Sequence, residues 1–364
     1  MKLEKNLDNQ NKKMKVLMVG PARNVKGGMT TVVDNYFKFG LQTVVDLDYC
    51  ESINDKTKIQ KAFKEVRGWL QYISKINKYD IIHIHMASGR STYRKIKYLV
   101  LAKKKKKKVI VHVHGGGFSD FYNSLTRDKK EKIRKGLSQA DRLIVLSESW
   151  KVFFSDIISN NKINVLYNGV EIPNKFNKKL DNDNIIFLGR LCEDKGIYEL
   201  LSALQCLKNE YPNILLNICG SGENEKVLNF IKKRDLSDNV KLIGWVSDLD
   251  KATQLKENSI FVLPSKFEAM PVSLLEAMAY ENVPICTNVG GVSQIIEDGI
   301  NGILIKDNCK ETICFALRNI LCNAKKKKEM AKAARVTVKN KFDIANNIKL
   351  LYRIYLEVME ENGV

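Results

Sequence analysis

Two glutamates, Glu268 and Glu276, stand eight positions apart in a segment that changes character between them. The apolar run 260–263 reads as a buried strand, and Pro264 and Ser265 end it. From Pro271 the pattern is helical, with a proline suited to a first turn. Glu268 is therefore expected in a strand-to-helix loop, and Glu276 more than one turn into the helix. The helix start between them offers unpaired N–H groups and the positive end of a dipole, which suits a diphosphate. One carboxylate can then reach a sugar hydroxyl beyond the phosphates, and the other a ribose behind them.

Other clusters carry residue types of the same kind. Arg190 and Lys195 lie in Gly189-Arg190-Leu191-Cys192-Glu193-Asp194-Lys195-Gly196, between an expected strand and an expected helix. Open α/β sheets bind ligands at the carboxyl ends of their strands. There an arginine can clamp phosphate oxygens with two bonds, and a lysine adds a point charge. Two solvated surface cations are the alternative, which loses weight once the two-glutamate segment follows in the same chain. Cys219-Gly220-Ser221-Gly222 ends another strand as a ligand wall or an ordinary turn; it lacks the third glycine of a dinucleotide fingerprint. Gly27-Gly28-Met29-Thr30 follows the first strand and reads as an anion-binding or acceptor-facing loop, or as a plain turn.

All four histidines fall in two His-x-His pairs, His83 with His85 and His112 with His114. In a strand both rings of a pair point to one side. The pairs are read as lining a polar cleft, against structural histidines or a transition-metal site; no Cys, Asp or Glu is spaced as a supporting ligand. No metal is assigned. The triplets Asp46-Leu47-Asp48 and Asp248-Leu249-Asp250 could hold a cation on a diphosphate. In so charged a chain they are read as chance.

These residues need a frame. Short apolar runs at 15–19, 81–84, 109–113, 142–146 and 163–166 read as strands, and the pattern restarts at 185–188, 215–219, 240–243, 260–263 and 283–286. Helical stretches lie between, so parallel sheets covered on both faces are expected. The polar stretch 172–184 reads as a linker. The expected domains are 1–175, joined by 342–364, and 184–341. The last segment has one apolar helical face at Ile348, Leu351, Tyr352, Tyr355, Leu356 and Met359.

Of the 364 residues, the first 180 carry 37 Lys and Arg against 16 Asp and Glu, so the net charge of +20 sits in this half. Such asymmetry points to an anionic surface or polymer. The unbroken lysines of 103–108 read as a solvated loop or as a contact for an anionic membrane; no aromatic residues are interleaved and no nucleic-acid motif accompanies them. The eight cysteines include no CxxC pair and read as free core thiols of a reducing compartment. Residues 1–15 lack the apolar stretch of a signal peptide, and no apolar run approaches a membrane span, so a cytoplasmic protein is expected.

Taken in order, the motifs resemble those of the retaining glycosyltransferases of family 4, which adopt the GT-B fold. The resemblance runs through Gly27-Gly28-Met29, Val113-His114-Gly115, Tyr167-Asn168-Gly169-Val170, Phe187-Leu188-Gly189-Arg190 with Lys195-Gly196, the segment 264–279 with its two glutamates, and Gly290-Gly291-Val292. It implies two Rossmann-like domains facing a central cleft, with the final helix crossing back to the first. The first domain would bind the acceptor and the second a nucleotide sugar, UDP-linked by resemblance. Arg190 and Lys195 would hold the diphosphate, Glu268 would contact the donor sugar, and Glu276 would accept from the ribose. His114 would face the sugar. Gly220, Gly222, Ala269, Met270, Pro271, Val272 and Ser273 would complete the donor site, and Gly27, Gly28 and Met29 would lie near phosphate and acceptor. Two positions depart from the common pattern. Ala269 stands where glycine is frequent and Gln294 where an acid is frequent; the first bears on the identity of the donor sugar.

The implied chemistry follows from charge. Breaking the bond to the diphosphate leaves an oxocarbenium-like sugar and negative charge on phosphate, which two cations and a helix start would stabilise. No metal is required for this. The expected activity is a hexosyltransferase acting on a glycan or lipid-linked acceptor in surface-polysaccharide synthesis, peripheral on the inner membrane face. The alternatives are an epimerase or phosphorylase on the same scaffold, or a basic nucleic-acid-binding protein.

Overall fold

The computed structural model describes residues 13–53, 58–178 and 182–361. The expectations for residues 1–12 and for 179–181 of the linker lie outside these. The chain forms two compact units, one running to Tyr167 and resuming at Ile344, the other Asn168–Asp343.

The first unit holds strands β1 (Lys15–Gly20), β2 (Asp46–Glu51), β3 (Ile81–Met86), β4 (Lys108–Val113), β5 (Arg142–Val145) and β6 (Ile163–Val165), in the order β2-β1-β3-β4-β5-β6. All pairings are parallel. Alternation sends Ile82, Ile84 and Met86 of β3 into one core with Val109, Val111, Val113, Leu143 and Val145. The histidines take the opposite face, where Tyr355 of helix Ile344–Glu360 meets His83. Strand β2 is absent from the sequence expectation for a physical reason. It is an edge strand with only Cys50 of its residues buried, so it carries no apolar run.

The second unit holds β7 (Ile185–Leu188), β8 (Leu216–Cys219), β9 (Val240–Gly244), β10 (Ile260–Leu263), β11 (Val283–Thr287) and β12 (Ile303–Ile305), in the order β12-β11-β10-β7-β8-β9. This sheet is parallel too. The edge strand β12 is the other one not expected, its three apolar residues being too short a run to stand out.

Several expectations change. Residues 168–175 go with the second unit: Val170 bridges to Asp343, and the Asn168 amide donates to the Met270 carbonyl at 2.8 Å. Only Lys105, Lys106 and Lys107 of the lysine run form a loop. Lys103 and Lys104 end helix Arg90–Lys104, where cations suit the dipole, and Lys108 starts β4. Lys103 is held by both Asp141 oxygens at 2.9 and 2.8 Å, and Lys107 donates to the Asn77 carbonyl at 2.9 Å. Asp48 is taken by Lys75 and Tyr79, each at 2.6 Å. Asp248 and Asp250 sit in the first turn of helix Asp248–Glu257. All eight cysteines are free, but Cys206, Cys309 and Cys322 are exposed rather than in the core. No helix among the described residues is long and apolar enough to cross a membrane.

Candidate functional site

In the second unit the strands after β7 build outward to one side through β8 and β9, and those after β10 build to the other. The crevice between β7 and β10, outside their carboxyl ends, is the topological switch point at which such sheets bind ligands. The loops 189–196 and 264–271 leave these two strands, and they are sewn to each other. Gly196 has φ +68°, and a Cβ there would lie 2.1 Å from the Pro264 carbonyl oxygen. The Lys266 N–H donates to the Asp194 carbonyl at 2.8 Å, and the Lys266 ammonium pairs with Glu193 at 2.6 Å. This stitching brings Lys195 onto the carboxylate of Glu268, which also accepts from the Ser265 hydroxyl at 2.8 Å. Ser265 is itself anchored, since its carbonyl accepts from Thr287 Oγ1 at 2.5 Å. The Glu268 side chain is 10% exposed and that of Lys195 26%, so the pair retains a solvent-facing edge.

Helix Val272–Ala279 follows directly, and no side chain caps its start. Its first N–H groups, which no helix pairs internally, thus lack a side-chain acceptor as well and point out of the helix end. Ala269, Met270, Pro271 and Val272 are buried, so they can meet a ligand through backbone alone; Ser273 is half-buried. Met270 is fixed by Asn168, whose N–H reaches its sulfur at 3.2 Å. One turn into the helix, Glu276 pairs with Lys251 at 2.6 Å.

The remaining expected donor residues fall differently. Arg190 is exposed after β7 and has no hydrogen bond or ion pair among the described residues, although its charge acts on Glu223. Gly220 and Gly222 are needed for packing. A Cβ at Gly220 would lie 1.8 Å from the Gly189 carbonyl oxygen, and one at Gly222 2.3 Å from that of Leu191.

In the first unit, the sheet's switch lies between β1 and β3. Gly27 precedes helix Gly28–Lys38, which also lacks a side-chain cap, and Met29 lies in its first turn. A Cβ at Gly27 or Gly28 would meet nothing within 4 Å, so packing does not demand glycine at either. His83, His85 and His112 are fully buried, and His114 is half-buried at the end of their row. Burial lowers all four imidazoles, His83 and His114 to about 3, and keeps them neutral.

Two family models match the chain: Glycosyltransferase Family 4 over residues 50–172 and Glycosyl transferases group 1 over residues 170–337. It is a glycosyltransferase of the GT4 type. The transferase is 30% identical over 203 residues to an uncharacterized glycosyltransferase of Haemophilus influenzae, a match spanning 55% of this chain and 57% of that one. It is 27% identical over 315 residues to the UDP-Gal:alpha-D-GlcNAc-diphosphoundecaprenol alpha-1,3-galactosyltransferase of Escherichia coli, with 80% of this chain and 78% of that one covered. HepE of Anabaena, solved in complex with UDP and glucose, matches the transferase with a TM-score of 0.76 and 15% identity, covering 94% of this chain and 99% of that one. That likeness is one of fold, and the fold is GT-B.

Sequence reasoning missed Lys251, Ser265 and Thr287 as partners of the site. Ser265 was visible as a strand end three positions before Glu268. Lys251 and Thr287 carry no sequence signal, because only the packing of separate elements brings them there.

Proposed function

We propose that the transferase moves a sugar from a nucleotide donor, UDP-linked, with retention of the anomeric configuration, onto a glycan or lipid-linked acceptor in surface-polysaccharide synthesis. The observation that carries the donor half is the Lys195–Glu268–Ser265 cluster beside an uncapped helix start. Its chemistry fits a leaving diphosphate. Lys195, Arg190 and the N–H groups from Val272 onward supply positive charge where phosphate charge develops, so no divalent cation is needed there. Glu268, now satisfied by Lys195 and Ser265, faces the donor sugar, and Glu276 takes the ribose hydroxyls. His114 contacts the sugar from the acceptor unit, and the open start at Gly27, Gly28 and Met29 faces phosphate and acceptor. The UDP donor is supported by the UDP complex of HepE, and the lipid-linked acceptor by the name of the E. coli relative. A panel of nucleotide sugars screened by thermal shift identifies the donor. Release of nucleoside diphosphate only when acceptor is added separates transfer from epimerase or phosphorylase activity, and NMR of the product anomer checks retention.

The two glutamates separate kinetically. Glu276→Gln should raise KM for the donor with kcat largely kept, because the ribose contact is the same in ground and transition states. Glu268→Gln should lower kcat, because its sugar develops charge. If both variants move only KM, the role of Glu268 is wrong.

Residues 103–108 offer only Lys104, Lys105 and Lys106 as exposed cations. Helix Lys58–Lys75 offers more to a membrane. Phe63, Val66, Leu70 and Ile73 are 74%, 60%, 61% and 43% exposed and form one narrow stripe at helical spacing, on the strongly basic part of the chain. Peripheral binding to anionic lipid follows from apolar insertion plus charge. In flotation with phosphatidylglycerol vesicles, the wild type should float at low salt and less at high salt, and Phe63→Ser with Leu70→Ser should stay in the soluble fraction. A wild type that never floats would leave the lysines and the stripe without a membrane role.

A further inference from the structure

The transfer chemistry uses His114 and leaves the other three histidines idle. We propose that His83, His85 and His112 form a three-imidazole site for a first-row transition metal, Zn²⁺ foremost. Their ligand atoms lie within 4.8 Å of one another, and all three side chains are buried. Nε2 of His83, Nε2 of His85 and both nitrogens of His112 are buried without a hydrogen-bond partner. Buried polar atoms are nearly always paired, so several unpaired nitrogens on three clustered imidazoles call for an occupant.

For His83 and His85 the surroundings match what metal-bound imidazoles require, whereas His112 has no outer partner. A ligating histidine normally gives its second nitrogen to an outer partner. His83 Nδ1 meets the Tyr355 hydroxyl at 2.7 Å, and His85 Nδ1 meets His114 Nε2 at 2.9 Å. The backbone fixes the three positions: β3 and β4 are paired in parallel with His85 opposite His112. The rings of His83 and His85 lie 4.5 Å apart at 19°, and those of His83 and His112 5.4 Å apart at 16°. Zn–N bonds of about 2.0–2.1 Å put the nitrogens of a tetrahedral site roughly 3.4 Å apart. The ligand atoms, within 4.8 Å of one another here, would close to that spacing on binding the ion. Three neutral nitrogen ligands suit Zn²⁺, Cu or Ni over Mg²⁺ or Ca²⁺, which seek oxygen. Among the described residues no carboxylate joins the cluster, and the neighbouring Lys95 is buried on the Val19 carbonyl and the Ser52 hydroxyl, at 3.2 and 2.6 Å. Water or hydroxide completes the fourth position.

Metal on His85 Nε2 leaves the proton on His85 Nδ1. His114 must then accept through Nε2 and carry its own proton on Nδ1. The ion thus sets the tautomer of His114. That consequence rests on the sugar contact proposed for His114; the site itself does not.

The test uses the full chain without a polyhistidine tag, stripped with chelator and then titrated. One equivalent of Zn²⁺ per chain should survive dialysis, with a raised Tm. Co²⁺ should give the d–d bands of a tetrahedral site without a thiolate charge-transfer band. His112→Phe should lose the equivalent. In case that variant fails to fold, Tyr355→Phe spares all three ligands and should keep the stoichiometry while weakening affinity about 10–100-fold. A folded wild type that retains no Zn²⁺ and gives no Co²⁺ spectrum overturns the proposal, leaving a hydrated pocket. A thiolate band, from Cys206, Cys309 or Cys322, overturns it equally.

Discussion

Lys195→Ala is expected to lower kcat about 10²–10³-fold while the second unit stays folded. The lysine is held against Glu268 by two loops that are stitched to each other through Gly196, Asp194, Glu193 and Lys266, so its position is built into the unit before any donor arrives. A cation so fixed costs little reorganisation when charge develops on the leaving phosphate, which is why its loss should appear in kcat rather than KM. The side chain keeps a solvent-facing edge, so its removal opens no large cavity. Arg190→Ala should fall by a comparable factor, but with a larger share in KM, because Arg190 is exposed and must be ordered by the donor. Stopped assays with saturating donor, alongside circular dichroism, check both variants. Turnover within a few-fold of wild type for both would remove the phosphate role. So would a wild-type rate abolished by EDTA and restored by Mg²⁺ or Mn²⁺, since the positive charge would then come from an ion.

Gly290→Ala is the second large effect. Gly290 has φ +55°, and a Cβ there would lie 1.7 Å from the Glu268 carbonyl oxygen. That separation is far below contact, and the obstacle is backbone, which has nowhere to go: the Gly291 N–H is bonded to the Ala269 carbonyl at 2.9 Å. Left-handed backbone strain and overpacking together cost about 2–5 kcal/mol. In a unit of this size that corresponds to a fall in Tm of roughly 5–15 °C. Whatever fraction still folds should have displaced Glu268, so specific activity per folded molecule should fall as well. Differential scanning calorimetry and kcat measured below the new Tm report the two parts separately. An unchanged Tm would mean that the approach of residue 290 to the Glu268 loop is absent.

Periodicity and spacing determined most of the frame. Buried parallel strands must be apolar on both faces, so ten of the twelve strands among the described residues were legible as short apolar runs. Asp46–Glu51 was not, because this half-solvated edge alternates with charged residues, and Ile303–Ile305 was not, because three apolar residues are too short a run to stand out. The loop position of Glu268 and the helical position of Glu276 were also legible, since Pro264 and Pro271 punctuate the chain between them. Partnership was not. Nothing in the order of residues says that Lys251 meets Glu276, that Thr287 anchors Ser265, or that Lys103 of a six-lysine run is neutralised by Asp141. Nor does composition reveal that Phe63, Val66, Leu70 and Ile73 face outward, since an amphipathic pattern shows a stripe but not what covers it. The histidines divide the two kinds of knowledge most clearly. Alternation alone sends each His-x-His pair to one face of its strand. Only the pairing of β3 with β4, which lays His85 opposite His112, and the packing of Tyr355 against His83 decide that the pairs come together and that Nε2 of His83, Nε2 of His85 and both nitrogens of His112 are left without partners. Local pattern follows from the repeat of the backbone, whereas convergence depends on the register between segments far apart in the chain, which is set by the packing of the whole unit.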